Sequence, residues 1–346
     1  MGRLKLKMLL RIKRLIALLA CFGMAAAGGI YLFSNHELTF TRASVSYDLK
    51  YGSNLRSVAR ELAALGVLNF PGAAILFEIV GRVRRDAAKI KAGNYEFESP
   101  ITPLKLLQKM TSGDATQSTV RFIDGWTFKQ VRQALDTHDA LKHDTQDMSS
   151  QTIARALGIA DAQPEGWIFP ETFHFSRGTS DLAMLKRAHR LMQKHLNVQW
   201  NKRAADLPLA TPYEALILAS IVEKETGRAA ERALVSSVFN NRLRINMRLQ
   251  TDPTVIYGMG DNFNGNLRRR DLQADTPWNT YTRSGLPPTP IAMPGLASIQ
   301  AALNPATSKM LYFVARGDGS SQFSRTLEEH NAAVNKYQRS GSNDAR

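Results

Sequence analysis

Thr211-Pro212-Tyr213-Glu214-Ala215-Leu216-Ile217-Leu218-Ala219-Ser220-Ile221-Val222-Glu223-Lys224-Glu225-Thr226-Gly227 is the stretch from which the rest of the chain is best read. Thr211 is an N-cap, Pro212 sits where a helix tolerates a missing N–H, and Glu214 completes a Thr-x-x-Glu capping box. The residues that follow are apolar around almost the whole circumference. That pattern predicts a helix buried inside a domain, with Gly227 as its stop. Glu223 and Glu225 stand two positions apart on the last turn, so at about 100° per residue they point to nearly opposite sides. Glu225 shares a stripe with Val222, Ile221 and Leu218, whereas Glu223 lies over Ser220, Ala219 and Leu216. A carboxyl held against apolar walls at a helix C-terminus is pushed toward its neutral form, and a neutral acid can protonate a leaving oxygen. On spacing alone the plainer reading carries more weight: two solvated end-of-helix residues paired with Lys224 or Arg228.

The 346 residues, 44% hydrophobic and 22% charged, describe an ordinary globular chain of one large or two modest domains. The net charge of +15 is unusual, and six of it comes from Arg3, Lys5, Lys7, Arg11, Lys13 and Arg14 without one acid. Next comes Leu15–Phe33, an uncharged run of 19 residues. As a helix it is long enough to cross a bilayer. Basic residues before the run and none just after it predict residues 1–14 in the cytoplasm and residues from Ser34 onward outside. Ala25-Ala26-Ala27 offers a cleavage site as a rival reading, and Leu18-Leu19-Ala20-Cys21 offers a lipidation site as a third. Cys21 is the sole cysteine, so no internal disulfide forms.

Beyond a linker at 34–42, residues 43–115 read as a small unit in the order strand, helix, helix, strand. The strand over Ala43–Tyr47 is followed by a helix capped by Ser53 or Asn54 and stopped by Gly66. A second helix starts at Pro71, then come a strand over Asn94–Phe97 and a helix over Thr102–Thr111. That order is shared by LysM-like sugar-binding units, and equally by a plain α+β spacer. Residues 120–338 read as a second, larger domain. It has a strand over Val120–Ile123, a capping box at Thr127 and Gln130, a long helix over Asp181–Asn201 and two adjacent helices flanking Glu225. From Pro253 to Phe323 the chain is rich in Gly and Pro, with short strand-like pieces such as Met310–Ala315. The class expected is mixed α+β, with a frayed polar tail at 339–346.

Ala219-Ser220-Ile221-Val222-Glu223-Lys224-Glu225-Thr226, Val238-Phe239-Asn240-Asn241-Arg242-Leu243 and Met247-Arg248-Leu249-Gln250-Thr251-Asp252-Pro253-Thr254-Val255-Ile256-Tyr257-Gly258 together resemble the endolytic murein transglycosylase (YceG-like) family. Glu165-Gly166-Trp167-Ile168-Phe169-Pro170-Glu171-Thr172, Asn279-Thr280-Tyr281 with Gly285-Leu286-Pro287-Pro288, and Tyr312-Phe313-Val314 leading to Glu329-His330-Asn331 extend the likeness in order across nearly the whole chain. The resemblance implies an enzyme that cleaves the glycan strand of peptidoglycan, with Glu225 as catalytic acid and a LysM-like region ahead of the catalytic domain. It also implies that one carboxyl performs both proton transfers. Glu225 protonates the oxygen between muramic acid and glucosamine, then takes the proton of the muramoyl 6-hydroxyl, which closes onto C1 as a 1,6-anhydro end without consuming water. Peptidoglycan synthases are implied as partners, and termination of nascent strands as the role.

Asp252 is the candidate for a second carboxylate. Facing Glu225 across a scissile bond it would favour a lysozyme-like hydrolase. The resemblance instead gives Gln250 and Asp252 binding and shaping roles, while a turn residue before Pro253 is the plain alternative. Tyr257, Asn279 and Tyr281 suit a cleft that stacks on sugar faces and grips acetamido groups, or else ordinary packing. Glu171 is a possible helper of undetermined direction, and His330-Asn331 is assigned a structural hydrogen-bonding role. No cofactor or metal is expected, because the seven histidines lack ligand spacing and no phosphate-binding loop is present. Nucleic acid is an unsuitable partner for an exported chain. Arg242, Arg244, Arg248 and Arg268–Arg270 read as solvated surface or as contacts to the carboxylates of peptidoglycan peptides. The competing class is a wall-binding scaffold that grips glycan without cutting it. The location expected is the inner membrane of a two-membrane bacterium, crossed once, with the catalytic domain in the periplasm.

Overall fold

The computed structural model describes residues 2–113, 117–160 and 163–339. The chain divides into two compact units, Met1–Ser118 with His174–Arg177, and Thr119–Phe173 with Gly178–Arg346. The expected tail lies outside the described residues from position 340 onward.

The first unit contains α1 (Gly2–Asn35), β1 (Ser44–Leu49), α2 (Leu55–Ala64), α3 (Ala73–Val83), β2 (Gly93–Glu98) and α4 (Pro103–Ser112). β1 and β2 pair antiparallel, from Ser44 opposite Glu98 to Leu49 opposite Gly93. Their alternation sends Tyr47, Tyr95 and Phe97 inward, where Tyr95 and Phe97 stack with ring centroids 6.2 Å apart. Asn54 caps α2 by accepting the Ser57 N–H at 2.9 Å, and Thr102 caps α4 by accepting the Lys105 N–H. Gly113 ends α4 at φ +79°, a conformation that favours glycine. Residues 34–42 are not a free linker. Phe33 and Leu38 are buried in this unit's core, and Leu38 exchanges both backbone hydrogen bonds with Ile101.

β3 (Gln117–Arg121) and β5 (Thr172–Ser176) each contribute residues to both units, and the second unit opens with α5 (Phe128–Asp136), β4 (Leu141–Lys142), α6 (Ser150–Leu157) and β6 (Thr179–Ser180). The helical body follows: α7 (Asp181–Asn201), α8 (Pro212–Glu225), α9 (Arg232–Arg244), α10 (Asp252–Met259), α11 (Arg269–Gln273) and α12 (Leu296–Leu303). β7 (Tyr312–Ala315), β8 (Ser321–Ser324) and α13 (Leu327–Val334) close it. The strands pair in twos, β1 with β2, β3 with β5, β4 with β6 and β7 with β8, so the class is mixed α+β.

α8 is the hub of the second unit, packed against α7, α9, α10 and α12. Every residue from Ala215 to Val222 is buried, as its all-round apolar sequence requires. The start differs in one detail from a full capping box. Thr211 Oγ1 accepts the Glu214 N–H, but the Glu214 carboxylate reaches one residue further back, to the Ala210 N–H at 2.6 Å. The stop also differs. The helix ends at Glu225 because Thr226 turns extended (φ −94°, ψ 106°) with its hydroxyl bonded to the Val222 carbonyl, and Gly227 takes no part in a left-handed cap.

Gly166 shows how tightly the core is closed. It adopts φ +79°, and a Cβ placed there would lie 2.4 Å from the Pro290 side chain. Gly166→Ala is therefore expected to destabilise the protein by about 3 kcal/mol, combining backbone strain with overpacking. Denaturant melts that superpose on wild type would contradict this.

Candidate active site

The two faces of the last turn of α8 have different partners. Glu223 accepts the Gly295 N–H at 2.9 Å, which fixes the N-terminus of α12, while Lys224 reaches the Gly125 carbonyl and Arg228 the Asp318 carbonyl in place of a pairing with either glutamate. Glu225 faces a cleft of about 670 Å³ lined also by Phe239, Arg242, Leu249, Gln250, Asp252, Tyr281, Tyr312 and His330. All of these belong to the second unit. Burial pushes the Glu225 pKa above the ordinary carboxylate range. The Asp252 charge adds to that shift, and a hydrogen bond from the Thr251 hydroxyl to Oε1 opposes it.

Thr251 is held by a buried hydroxyl network. Its N–H donates to Thr280 Oγ1 at 3.1 Å, its carbonyl accepts from Thr254 Oγ1 at 2.7 Å, and the Thr254 and Thr280 hydroxyls meet at 2.9 Å. The approach to Thr251 is unusual, since Gln250 sits at φ +49° without being glycine. Two bonds hold it there: its N–H reaches the Thr280 carbonyl at 3.1 Å, and Arg242 Nη1 reaches its Oε1 at 3.5 Å. Asp252 is no turn residue. It opens α10, with Pro253 in the first turn where proline is tolerated, and its Oδ1 accepts the Tyr281 hydroxyl at 2.6 Å. Burial and that carboxylate raise the Tyr281 pKa, which keeps the phenol a proton donor.

Glu225, Gln250, Asp252 and Tyr281 are thus brought together, while Tyr257 and Asn279 are placed elsewhere. Tyr257 lies five residues beyond Asp252 on the same helix, about 140° around the axis. It packs edge-on to Trp278 and bonds Glu165 at 3.2 Å beside a different cavity of about 880 Å³. Asn279 is fully buried and donates to the backbone carbonyls of Asp271, Leu272 and Ala274, while its Oδ1 accepts the Tyr281 N–H at 2.8 Å. It holds the Tyr281 loop instead of facing a sugar. Glu171 lines neither cavity and accepts the N–H of its own neighbour Thr172. Burial lifts the Glu165 pKa to about 7, although the Phe128 N–H and the Tyr257 hydroxyl pull it down.

Two cleft residues take roles other than those their sequence context suggests. Arg242, grouped there with surface cations, is only 7% exposed. Its guanidinium donates to the carbonyls of Leu311, Arg248 and Leu249 and lies over the Tyr312 ring. The available signal was its offset of three, four and seven residues from Phe239, Val238 and Val235, which puts it on the buried stripe of α9. His330 stacks on Tyr312 with centroids 5.2 Å apart, in place of the hydrogen-bonding role expected. Burial, then the Arg242 charge, lower its pKa and favour the neutral ring.

A family model described as the YceG-like family matches residues 47–336. An endolytic murein transglycosylase from Bacillus subtilis (strain 168) is 30% identical over 338 residues, covering 90% of each chain. One from Streptococcus pneumoniae (strain ATCC BAA-255 / R6) is 25% identical over 327 residues, matching 85% of this chain and 58% of that protein's length. The crystal structure of a YceG-like protein from Listeria monocytogenes aligns at a TM-score of 0.53 and 28% identity, covering 84% of this chain and 98% of that one. The likeness takes in the α8 turn, the Gln250–Asp252 segment and the Tyr281 loop that build the cleft, and on it the chain belongs to the YceG-like family.

Proposed function

We propose that the protein is an endolytic murein transglycosylase, the name its relatives carry, that cleaves peptidoglycan glycan strands, and that its two proton transfers at Glu225 leave 1,6-anhydro ends. The observation that carries the reading is one half-buried carboxyl, Glu225, on the wall of a polar cleft, with its neutral form favoured by burial. Protonated Glu225 donates to the glycosidic oxygen. The carboxylate left behind keeps the Thr251 hydroxyl as a donor, then accepts the proton of the muramoyl 6-hydroxyl as that oxygen closes onto C1. The substrate gains no water, and Glu225 ends protonated as it began. Asp252 is held by Tyr281, so its charge tunes Glu225 and shapes the cleft, while Gln250 and Tyr281 line the path of the glycan.

The apolar helix over Lys13–Asn35 serves as a single-pass anchor in the inner membrane, with both folded units on the periplasmic side. The strand-helix-helix-strand unit acts as a LysM-like contact to glycan, and peptidoglycan synthases are the partners that supply nascent strands. Digestion of purified sacculi tests the reading. Anhydro-ended internal fragments support it, reducing ends indicate a hydrolase, and intact sacculi with a folded protein indicate a scaffold.

The Thr251 hydroxyl favours the charged form of Glu225, so Thr251→Val raises the Glu225 pKa. The reactive form is the acid, and kcat/KM falls as pH rises through that pKa. The descending limb of the Thr251→Val profile is therefore expected at higher pH than in wild type, with a lower plateau. A limb that stays in place or moves to lower pH contradicts the assignment.

A further inference from the structure

The end of α1 is built into the first unit. Ile30 and Phe33 pack against its core, Phe33 meets Phe70 edge-on at 5.8 Å, and α1 packs on both α3 and α4. A helix needs about 20 residues to cross about 30 Å of hydrocarbon. Counted from Leu15, the first uncharged position, the crossing runs through Ile30 and Phe33. The residues that complete the span are the same ones that pack into the folded unit. No spacer separates them, so with α1 read as a span the unit would sit against the bilayer, with α3 near the headgroups.

The outer face of α3 is apolar. Ile75 and Val83 are each 65% exposed and Ile79 is 36% exposed, at spacings of four residues that form one stripe opposite the buried Ala73, Phe77 and Val80. Arg82, Arg84, Arg85 and Lys89 follow in or just after the helix; Arg82 pairs with Glu78, and Arg84 and Lys89 share Asp86, so four cations stand against two acids and leave a net positive border. An apolar stripe bordered by excess cations has the composition of a helix that lies in a membrane interface.

We propose that α3 docks in the plane of the membrane surface, with Ile75, Ile79 and Val83 among the lipid and the neighbouring arginines at anionic headgroups. This rests on the reading of α1 as a membrane span. The first unit is thereby held in a fixed orientation to the bilayer, by a second contact beside the anchor.

The test uses the full chain with Cys21→Ser, reconstituted in phosphatidylcholine and phosphatidylglycerol vesicles, with a single fluorophore-labelled cysteine at Phe22→Cys or Ile79→Cys. Both labels are expected to lose roughly half or more of their emission to nitroxide-bearing lipids. The label at 79 should respond best to a nitroxide near the headgroup, and that at 22 to one deep in the chains. Quenching at 79 is expected to weaken when phosphatidylglycerol is left out or when Arg82, Arg84 and Arg85 are changed to Gln. Quenching at 22 with a water-exposed label at 79 overturns the proposal and leaves the anchor standing. A label at 79 that is shielded yet unquenched also overturns it, and points to a protein covering the stripe. Loss of quenching at both positions means that the anchor reading itself has failed.

Discussion

Glu225→Gln is expected to lower the rate of strand cleavage by roughly 10³-fold or more, because the amide can neither give nor take the proton that both half-reactions need. The change is nearly isosteric, and the amide oxygen still accepts the Thr251 hydroxyl. Burial disfavours the Glu225 charge, so replacing it with a neutral group leaves thermal stability at or above that of wild type. Loss of activity with an unchanged melt is the signature of a chemical role. A variant that keeps more than a tenth of the activity would show that the proton comes from elsewhere. Asp252, with its hydrogen bond from Tyr281, would be the next residue to change.

Arg242→Met is expected to act in the opposite way, through the architecture of the cleft. The guanidinium satisfies the carbonyls of Arg248, Leu249 and Leu311, joining the segment before Gln250 to the segment before β7. Methionine fills similar space but leaves these acceptors unpaired, at a cost of about 3 kcal/mol. The melting temperature should fall by on the order of 10 °C, and cleavage should fall with it as Gln250 and Thr251 lose their support. Arg242→Lys should restore little, because one ammonium cannot reproduce a fork aimed at carbonyls on two segments. Wild-type stability in Arg242→Met would mean that the carbonyls find other donors and that the cleft is held by its hydroxyl network alone.

How far the sequence is legible depends on how local the determining physics is. α2, α4 and α7 follow from caps and periodicity that lie within a few residues, and the whole of α8 follows from an apolar circumference that no surface helix could carry. Nothing local announces α10, because Gln250-Thr251-Asp252-Pro253 has the composition of a turn. The tertiary bonds from Thr251 to Thr280 instead place proline in a first helical turn. α12 is only eight residues long and lies within a stretch rich in Gly and Pro, so its period is too short to detect. Glu225 was separable from Glu223 by the side of one helix turn, whereas Thr251 reaches it from 26 positions away. Tyr257 and Asn279 carried chemistry suited to a sugar, but neither residue type fixes its own direction. The backbone acceptors around Asn279 and the hydrogen bond from Tyr257 to Glu165 turn both aside.

In the proposed cleavage the substrate's own hydroxyl, and not water, receives the glycosyl centre. Digesting sacculi in heavy-oxygen water measures this directly. Anhydro ends whose mass carries no heavy oxygen are predicted, formed by wild type and absent with Glu225→Gln. New ends that carry one heavy oxygen each would contradict the account, because they would require an activated water in the cleft and a second carboxylate to activate it.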